Sequence, residues 1–453
     1  MRTLEAHPYP SRLAAWALVA TLFFASILNT IDRSMLNFLV DPVRQSLHIS
    51  DVQMSLLQGL SYSVFYVSAG LLLGLIADRT VRIRLLMIGS FLWSAATVAG
   101  GVAPSFAWMF LARMVVGFGE ATLGPCAMPL ISDSFAPARR GLPLSLHLLG
   151  GSIASGLAAW AIGWVLEQAP RGTFTHIPGL AHAAPWRIAF VFAGALGLIL
   201  VTALACQREP PRRGVAVNTG ATMSLKPILA YFRRHWAVFL QIYLAFALFS
   251  VAGYGTVNWG VPVLTRQFAL APGAVVQSLG TTFVVAGAIG ALATGQILDM
   301  PAISRRPGAK LLLMAVMPLG MLPATAMTLA PNGRLAILAL SSLILISPML
   351  SITMLRTLSE LMPNDMRGLA VSVMSFAGTM IGGVFGPLLI ALCTEHLLRD
   401  ERKIGLGVLI VAAPAVIFTS VAYFCARRSL LASLAGGGGL AAIIAEDLNP
   451  QGN

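Results

Sequence analysis

Apolar stretches of about 20 residues, the length an α-helix needs to cross roughly 30 Å of hydrocarbon, recur along the whole chain. No other feature constrains its fold as much. They run near 13–40, 54–77, 83–103, 107–133, 141–166 and 186–206, then 236–264, 275–298, 309–330, 335–361, 369–393 and 404–425. The expected fold is all-α and integral to the membrane, with twelve transmembrane helices. Composition agrees: 57% of the 453 residues are hydrophobic and 10% charged, a balance that no soluble domain of this size could carry on its surface. The first span is followed by others and lacks a small-residue cleavage site, so it reads as a retained helix and not as a removed signal peptide.

A net charge of +13 would suggest nucleic acid in a soluble protein, but here the positions of the basic residues exclude that reading. Twenty of the thirty lie on one side of the expected helices, including Arg79, Arg82, Arg84, Arg139, Arg140, Arg305, Arg306, Lys310, Arg356 and Arg367; eight lie on the other and two within spans. By the positive-inside rule both termini are cytoplasmic, which predicts a multi-pass protein of the inner or plasma membrane. The outer loop 394–403 fits least well, since it carries Arg399, Arg402 and Lys403, partly offset by Glu395, Asp400 and Glu401.

The Pro- and Arg-rich stretch 207–234 is the long polar connection on the basic side and divides the spans into six and six. The expected organisation is a first bundle over 1–206, a linker over 207–234, a second bundle over 235–428 and a tail over 429–453. The halves also repeat. Gly74-Leu75-Ile76-Ala77-Asp78 ends the second span and Gly295-Gln296-Ile297-Leu298-Asp299 the eighth, with glycines and aspartates each 221 residues apart. Pro137-Ala138-Arg139-Arg140-Gly141 follows the fourth span and Pro363-Asn364-Asp365-Met366-Arg367-Gly368 the tenth, with Arg140 and Arg367 227 apart. Two matched features at nearly one offset point to a duplicated six-helix unit, the parallel-repeat plan of some secondary transporters. Glycine permits a close helix approach, and a carboxylate beside it can sit over a helix N-terminus or pair with the arginines that follow. Such a contact suits a gate.

Four charges lie inside the first and fourth spans, away from their ends: Asp32 and Arg33 in the first, Arg113 and Glu120 in the fourth. Each opposes insertion by roughly 2.5–3.5 kcal/mol at mid-bilayer, so these spans are expected to face a polar interior. Arg113 and Glu120 are seven residues apart, close to two helical turns, and therefore share a face.

At this point the chain resembles the major facilitator superfamily over roughly 12–428. Gly74-x-x-x-Asp78-Arg79-x-x-Arg82 resembles its signature loop between helices 2 and 3, with Val81 where the family usually has glycine. Within the superfamily, Asn29-x-x-Asp32-Arg33 and Arg113-x-x-x-Gly117-x-Gly119-Glu120-Ala121 resemble the spinster-like transporters, as do Trp186-Arg187-x-x-Phe190 and Arg208-Glu209-Pro210-Pro211. The resemblance implies two six-helix bundles with helices 1 and 4 lining a cavity, and proton-coupled movement of lysolipids or sphingoid phosphates. On that basis Asp32 and Glu120 are expected to form the protonatable pair, with Arg33 and Arg113 neutralising them or binding an anionic headgroup. The alternative is a permanent ion-pair network that locks helices 1 and 4 together. No cofactor is expected beyond the proton. The partners expected are a small amphiphilic or organic-anion substrate and membrane lipid, with the monomer as the working unit.

Asp78, Arg79 and Arg82 are assigned to the cytoplasmic gate, with Asp133, Arg139 and Arg140 as partners and Gly74, Gly295, Asp299 and Arg367 as its framework and repeat. In the seventh span three glycines and Pro262 surround Tyr254, Asn258 and Trp259, which predicts a cavity-lining hinge with those three side chains as substrate contacts. Tyr62, Phe65 and Tyr66 read as packing or lipid-facing aromatics, His147 as a satisfied histidine, and the four cysteines as small apolar residues without a disulfide or zinc framework. Glycines of the fifth and eleventh spans permit close crossing; the fifth span lacks the Gly-Pro element of antiporter signatures. No G-x-x-x-x-G-K-[ST] motif supplies a nucleotide site, and the seven histidines are scattered, which argues against a pump or an enzyme. Within transport, a small organic anion or drug is the competing substrate.

Overall fold

The protein is described by a computed structural model over residues 9–177, 181, 183–213, 231–363 and 366–435. The middle of the linker, the tail beyond 435, and Asn364 and Asp365 of the second repeat motif lie outside the described residues. Among the described residues, eleven helices are long and apolar enough to cross a membrane, and a shorter apolar one brings them to twelve. In chain order they are α1 (Arg12–Phe38), α2 (Asp51–Arg79), α3 (Arg82–Gly101), α4 (Phe106–Ser134), α5 (Gly141–Arg171) and α6 (Pro185–Ala205). Then come α7 (Trp236–Arg266), α8 (Pro272–Asp299), the shorter α9 (Ala309–Thr325), α10 (Gly333–Leu361), α11 (Arg367–Leu398) and α12 (Glu401–Ala435).

The chain divides into two compact units, 1–220 with 272–280, and 221–271 with 281–453. In the first, α3 packs along α6, α1 along α5 and α2 along α4; in the second, α9 packs along α12 and α7 along α11. The duplication read from two short motifs therefore extends to helix pairing. It reaches single hydrogen bonds as well. Arg140 Nε donates to the Phe135 carbonyl at 3.0 Å, and Arg367 Nε donates to the Met362 carbonyl at 3.2 Å. In both, an arginine folds back five residues onto the end of the preceding helix.

Three helices depart from the uninterrupted spans expected. α4 breaks into Phe106–Glu120 and Leu123–Ser134. Pro125 lacks an N–H and its ring excludes the carbonyl four residues back, which is that of Ala121 at the joint. α9 is broken over Met317–Met321, where Pro318 interrupts its ladder. α11 widens into π-helical turns over Ala377–Gly382 and Cys393–Leu398. By contrast α7, where a hinge was expected, is one unbroken helix. Gly255 serves packing instead, since a Cβ there would lie 2.6 Å from the Ile390 side chain and 3.0 Å from the Gly386 carbonyl, so α7 and α11 cross at a contact that only hydrogen fits; a Cβ on Gly253 would meet nothing within 4 Å.

Candidate functional site

Asp32 of α1 and Arg113 and Glu120 of α4 are all buried, at 3%, 3% and 0% exposure, and Arg33 is half-buried. Their charges interact with one another, so the structure assembles the four residues singled out by charge. The contact between α1 and α4 differs in detail from a carboxylate–guanidinium pair, because Arg113 Nη1 donates to the backbone carbonyl of Asp32 at 3.2 Å. Asp32 Oδ1, Arg113 Nε and Glu120 Oε1 have no hydrogen-bond partner, nor does either amide atom of Gln58. A buried polar atom left unpaired costs about 1–3 kcal/mol.

Tyr62 of α2 is the residue that sequence reasoning missed. It was read as packing or lipid-facing, yet it is 2% exposed and its hydroxyl donates to Glu120 Oε2 at 2.6 Å. The guanidinium carbons of Arg33 and Arg113 lie 5.5 and 5.2 Å from its ring centroid, and Tyr66 stacks on it at 5.3 Å. One phenol thus touches both cations through its face and one carboxylate through its edge. α4 reaches it because Gly117 has no side chain: a Cβ there would stand 2.6 Å from the Tyr62 carbonyl oxygen. The signal in the sequence was spacing, Tyr62 and Tyr66 one turn apart on a helix facing a glycine-rich one. Tyr62→Phe, which keeps the ring and removes the hydroxyl, is expected to slow transport about tenfold, the worth of one hydrogen bond to a charged group, at unchanged protein abundance. An unchanged rate in liposomes would return Tyr62 to packing.

The expected gate residues divide into those the fold gathers and those it leaves apart. Arg82, at the start of α3, is buried between two carboxylates, Asp133 at 2.7 Å and Glu209 at 2.8 Å. Glu209 also accepts from the Ile83 amide at 2.9 Å, and Asp133 accepts from the Arg213 amide at 3.1 Å. Glu209 lies in a stretch noted for its resemblance but not as a gate member. Asp78 and Arg79 are exposed. The Asp78 carboxylate makes no ion pair with the arginines that follow it; Arg212 instead bonds the backbone carbonyls of Ala77, Asp78 and Thr80. Arg139 is exposed and Arg140 is turned back onto the end of the preceding helix, α4; neither pairs with Asp78 among the described residues. A Cβ on Gly74 or Gly295 would touch nothing within 4 Å, and the close helix approach expected at both is not present. In the second unit Asp299 pairs with Arg356 at 2.9 Å, and Lys310 pairs with Glu360.

Among the α7 side chains, Trp259 requires correction. It is fully buried and its Nε1 donates to the Pro387 carbonyl at 3.0 Å, which makes it a brace between α7 and α11 and not a substrate contact. Asn258 is buried with an unpartnered Oδ1, and Tyr254 is half-buried. His147 lies between Ser26 Oγ at 3.0 Å and the Leu22 carbonyl at 3.2 Å, the satisfied histidine expected. Among the described residues no three His, Cys, Asp or Glu side chains gather as a metal site.

A twelve-helix membrane protein of duplicated halves, with buried charges on α1 and α4, is the plan of a secondary transporter. Residues 22–387 match the Major Facilitator Superfamily, and the chain belongs to that family of membrane transporters. It is 25% identical to an MFS-type efflux pump of Mycolicibacterium smegmatis over 92% of this chain and 94% of that one. It is 27% identical to protein spinster of Drosophila melanogaster over 66% of this chain, matching 49% of the fly protein's length. In fold it is similar to an inward-facing, unoccupied bacterial homologue of the human lysosomal transporter spinster. That similarity has a TM-score of 0.75 at 22% identity and covers 93% of this chain and 99% of that one.

Proposed function

We propose that this chain is a proton-coupled transporter working by alternating access, and that its substrate is a lysolipid or a similar amphiphilic anion. The observation that carries this reading is the mid-span group of buried Asp32, Arg113 and Glu120 with half-buried Arg33, in which each acid has an unpaired carboxylate oxygen and Arg113 an unpaired Nε. With both acids ionised the group is neutral overall. A proton on either acid leaves one positive charge in excess, and an anion at the guanidinium groups restores neutrality. Loading of proton and anion are therefore linked, and each raises the affinity for the other. The chemistry that must be moved is one proton and one anionic headgroup, for which these residues suffice.

Lysolipid is favoured by the spinster-like motifs and by the polarity difference between the halves. The second unit has no Asp, Glu, Lys or Arg at the corresponding mid-span positions and offers few polar groups, Ser351, Thr353, Ser372 and Ser375 among them. Such helices suit an acyl chain, while α1 and α4 suit a head. The second reading, export of a small organic anion or drug, is favoured by the efflux pump with which the similarity runs nearly end to end. Uptake into liposomes of lysophospholipids, sphingoid phosphates and small organic anions, with and without a pH gradient, separates the two. Gradient-dependent movement of acylated anions alone supports the first; movement of compact anions alone supports the second; no response to the gradient for any of them overturns proton coupling.

A further inference from the structure

The two units treat the start of their third helices differently. In the first, Arg82 has two carboxylates: Asp133 from the end of α4, and Glu209, which also takes the amide of the next residue, Ile83. In the second, the repeat places Lys310 where Arg82 stands and Glu360 where Asp133 stands, offsets of 228 and 227, and those two are paired. Leu311 then corresponds to Ile83. Its helix begins on Gly308, in the left-handed conformation, with no side-chain cap.

Where Glu209 sits in the first unit, the second has a cavity of about 520 Å³ whose walls include Arg305, Arg306, Lys310, Leu311, Arg356 and Arg367. Glu360 is the single acid lining it, and that acid is already shared between Lys310 and Arg356. Arg305 and Arg306 are exposed and have no ion-pair partner among the described residues. The cavity thus combines a surplus of guanidinium donors with an uncapped helix start, the two elements that recognise a phosphoryl group.

We propose that this cavity is an anion site for a phosphate monoester or diester, which supplies from outside the chain the charge that Glu209 supplies in the first unit. The chemistry is shared by two sources, the headgroup of an anionic lipid and a free phosphate. A membrane protein with an arginine-lined pocket at a helix end meets the former at high local concentration.

The test uses the full chain purified in neutral detergent, with binding followed by thermal stability and native mass spectrometry. The probes are dioctanoyl phosphatidylglycerol, dioctanoyl phosphatidylcholine and inorganic phosphate. Saturable binding of phosphatidylglycerol without phosphatidylcholine or phosphate assigns a lipid headgroup; binding of inorganic phosphate as well assigns a free phosphate. In either case Arg305→Gln/Arg306→Gln is expected to weaken binding about tenfold or more. Binding that is equal in the wild type and that variant overturns the proposal, as does equal stabilisation by phosphatidylglycerol and phosphatidylcholine. Glu120→Gln, altered at the mid-span site, is expected to bind like the wild type; loss of binding there but not in the arginine variant would assign the anion to the mid-span site and overturn this one.

Discussion

Glu120→Gln protein, reconstituted in liposomes and shown to be folded, is expected to lose proton-driven transport by more than about tenfold, and Asp32→Asn to do the same. Glutamine at 120 keeps the shape of the side chain and an oxygen that can accept from Tyr62, so the 2.6 Å contact has a replacement and the fold is spared. What is lost is the site's ability to change charge. Counterflow of substrate down its own gradient, which needs no net proton movement, is expected to survive in Glu120→Gln. Normal dependence on the pH gradient in both variants would reduce the group to an ion-pair network holding α1 to α4. Loss in one variant alone would name the carboxylate that carries the proton.

The second large effect is expected at Arg82. Its guanidinium is the common partner of Asp133 and Glu209, and removing one partner from a buried ionic group costs about 3–5 kcal/mol because the remaining charges are stranded. Arg82→Gln should therefore lower the thermal stability of the first unit markedly. The combined variant Arg82→Gln/Asp133→Asn/Glu209→Gln, which strands nothing, should recover most of that loss. Transport by the triple variant then separates gating from stability. Rescued stability with slow transport supports a gate, whereas rescue of both leaves a brace.

The sequence disclosed the parts of this protein whose physical signal is strong in isolation. Asp32 and Glu120 stood out because a charge in an apolar span is costly, and the repeat because Gly-x-x-x-Asp and the basic motif recur at nearly one offset. Residues whose role depends on a neighbour's position were less legible. Tyr62 in an apolar helix is indistinguishable from packing until Gly117 brings α4 against it, and Glu209 in a polar linker shows nothing of its bonds to Arg82 and Ile83. Trp259 erred in the opposite direction. Its glycine-rich surroundings suggested an open, bent helix, but Gly255 admits α11, and the indole is enclosed by the crossing it allows.

The interruption of α4 gives the arrangement a mechanical reading. Arg113 and Glu120 ride on the segment Phe106–Glu120, while Asp133 rides on Leu123–Ser134. The buried charges Arg113 and Glu120 and the Asp133 partner of Arg82 thus sit on two stiff rods joined by Ala121 and Thr122. Thr122 ties that joint back to the upper rod through its hydroxyl, 2.8 Å from the Gly119 carbonyl. A tilt of either rod is passed to the other along this strand of the molecule only through the torsions of those two residues, which act as its axle.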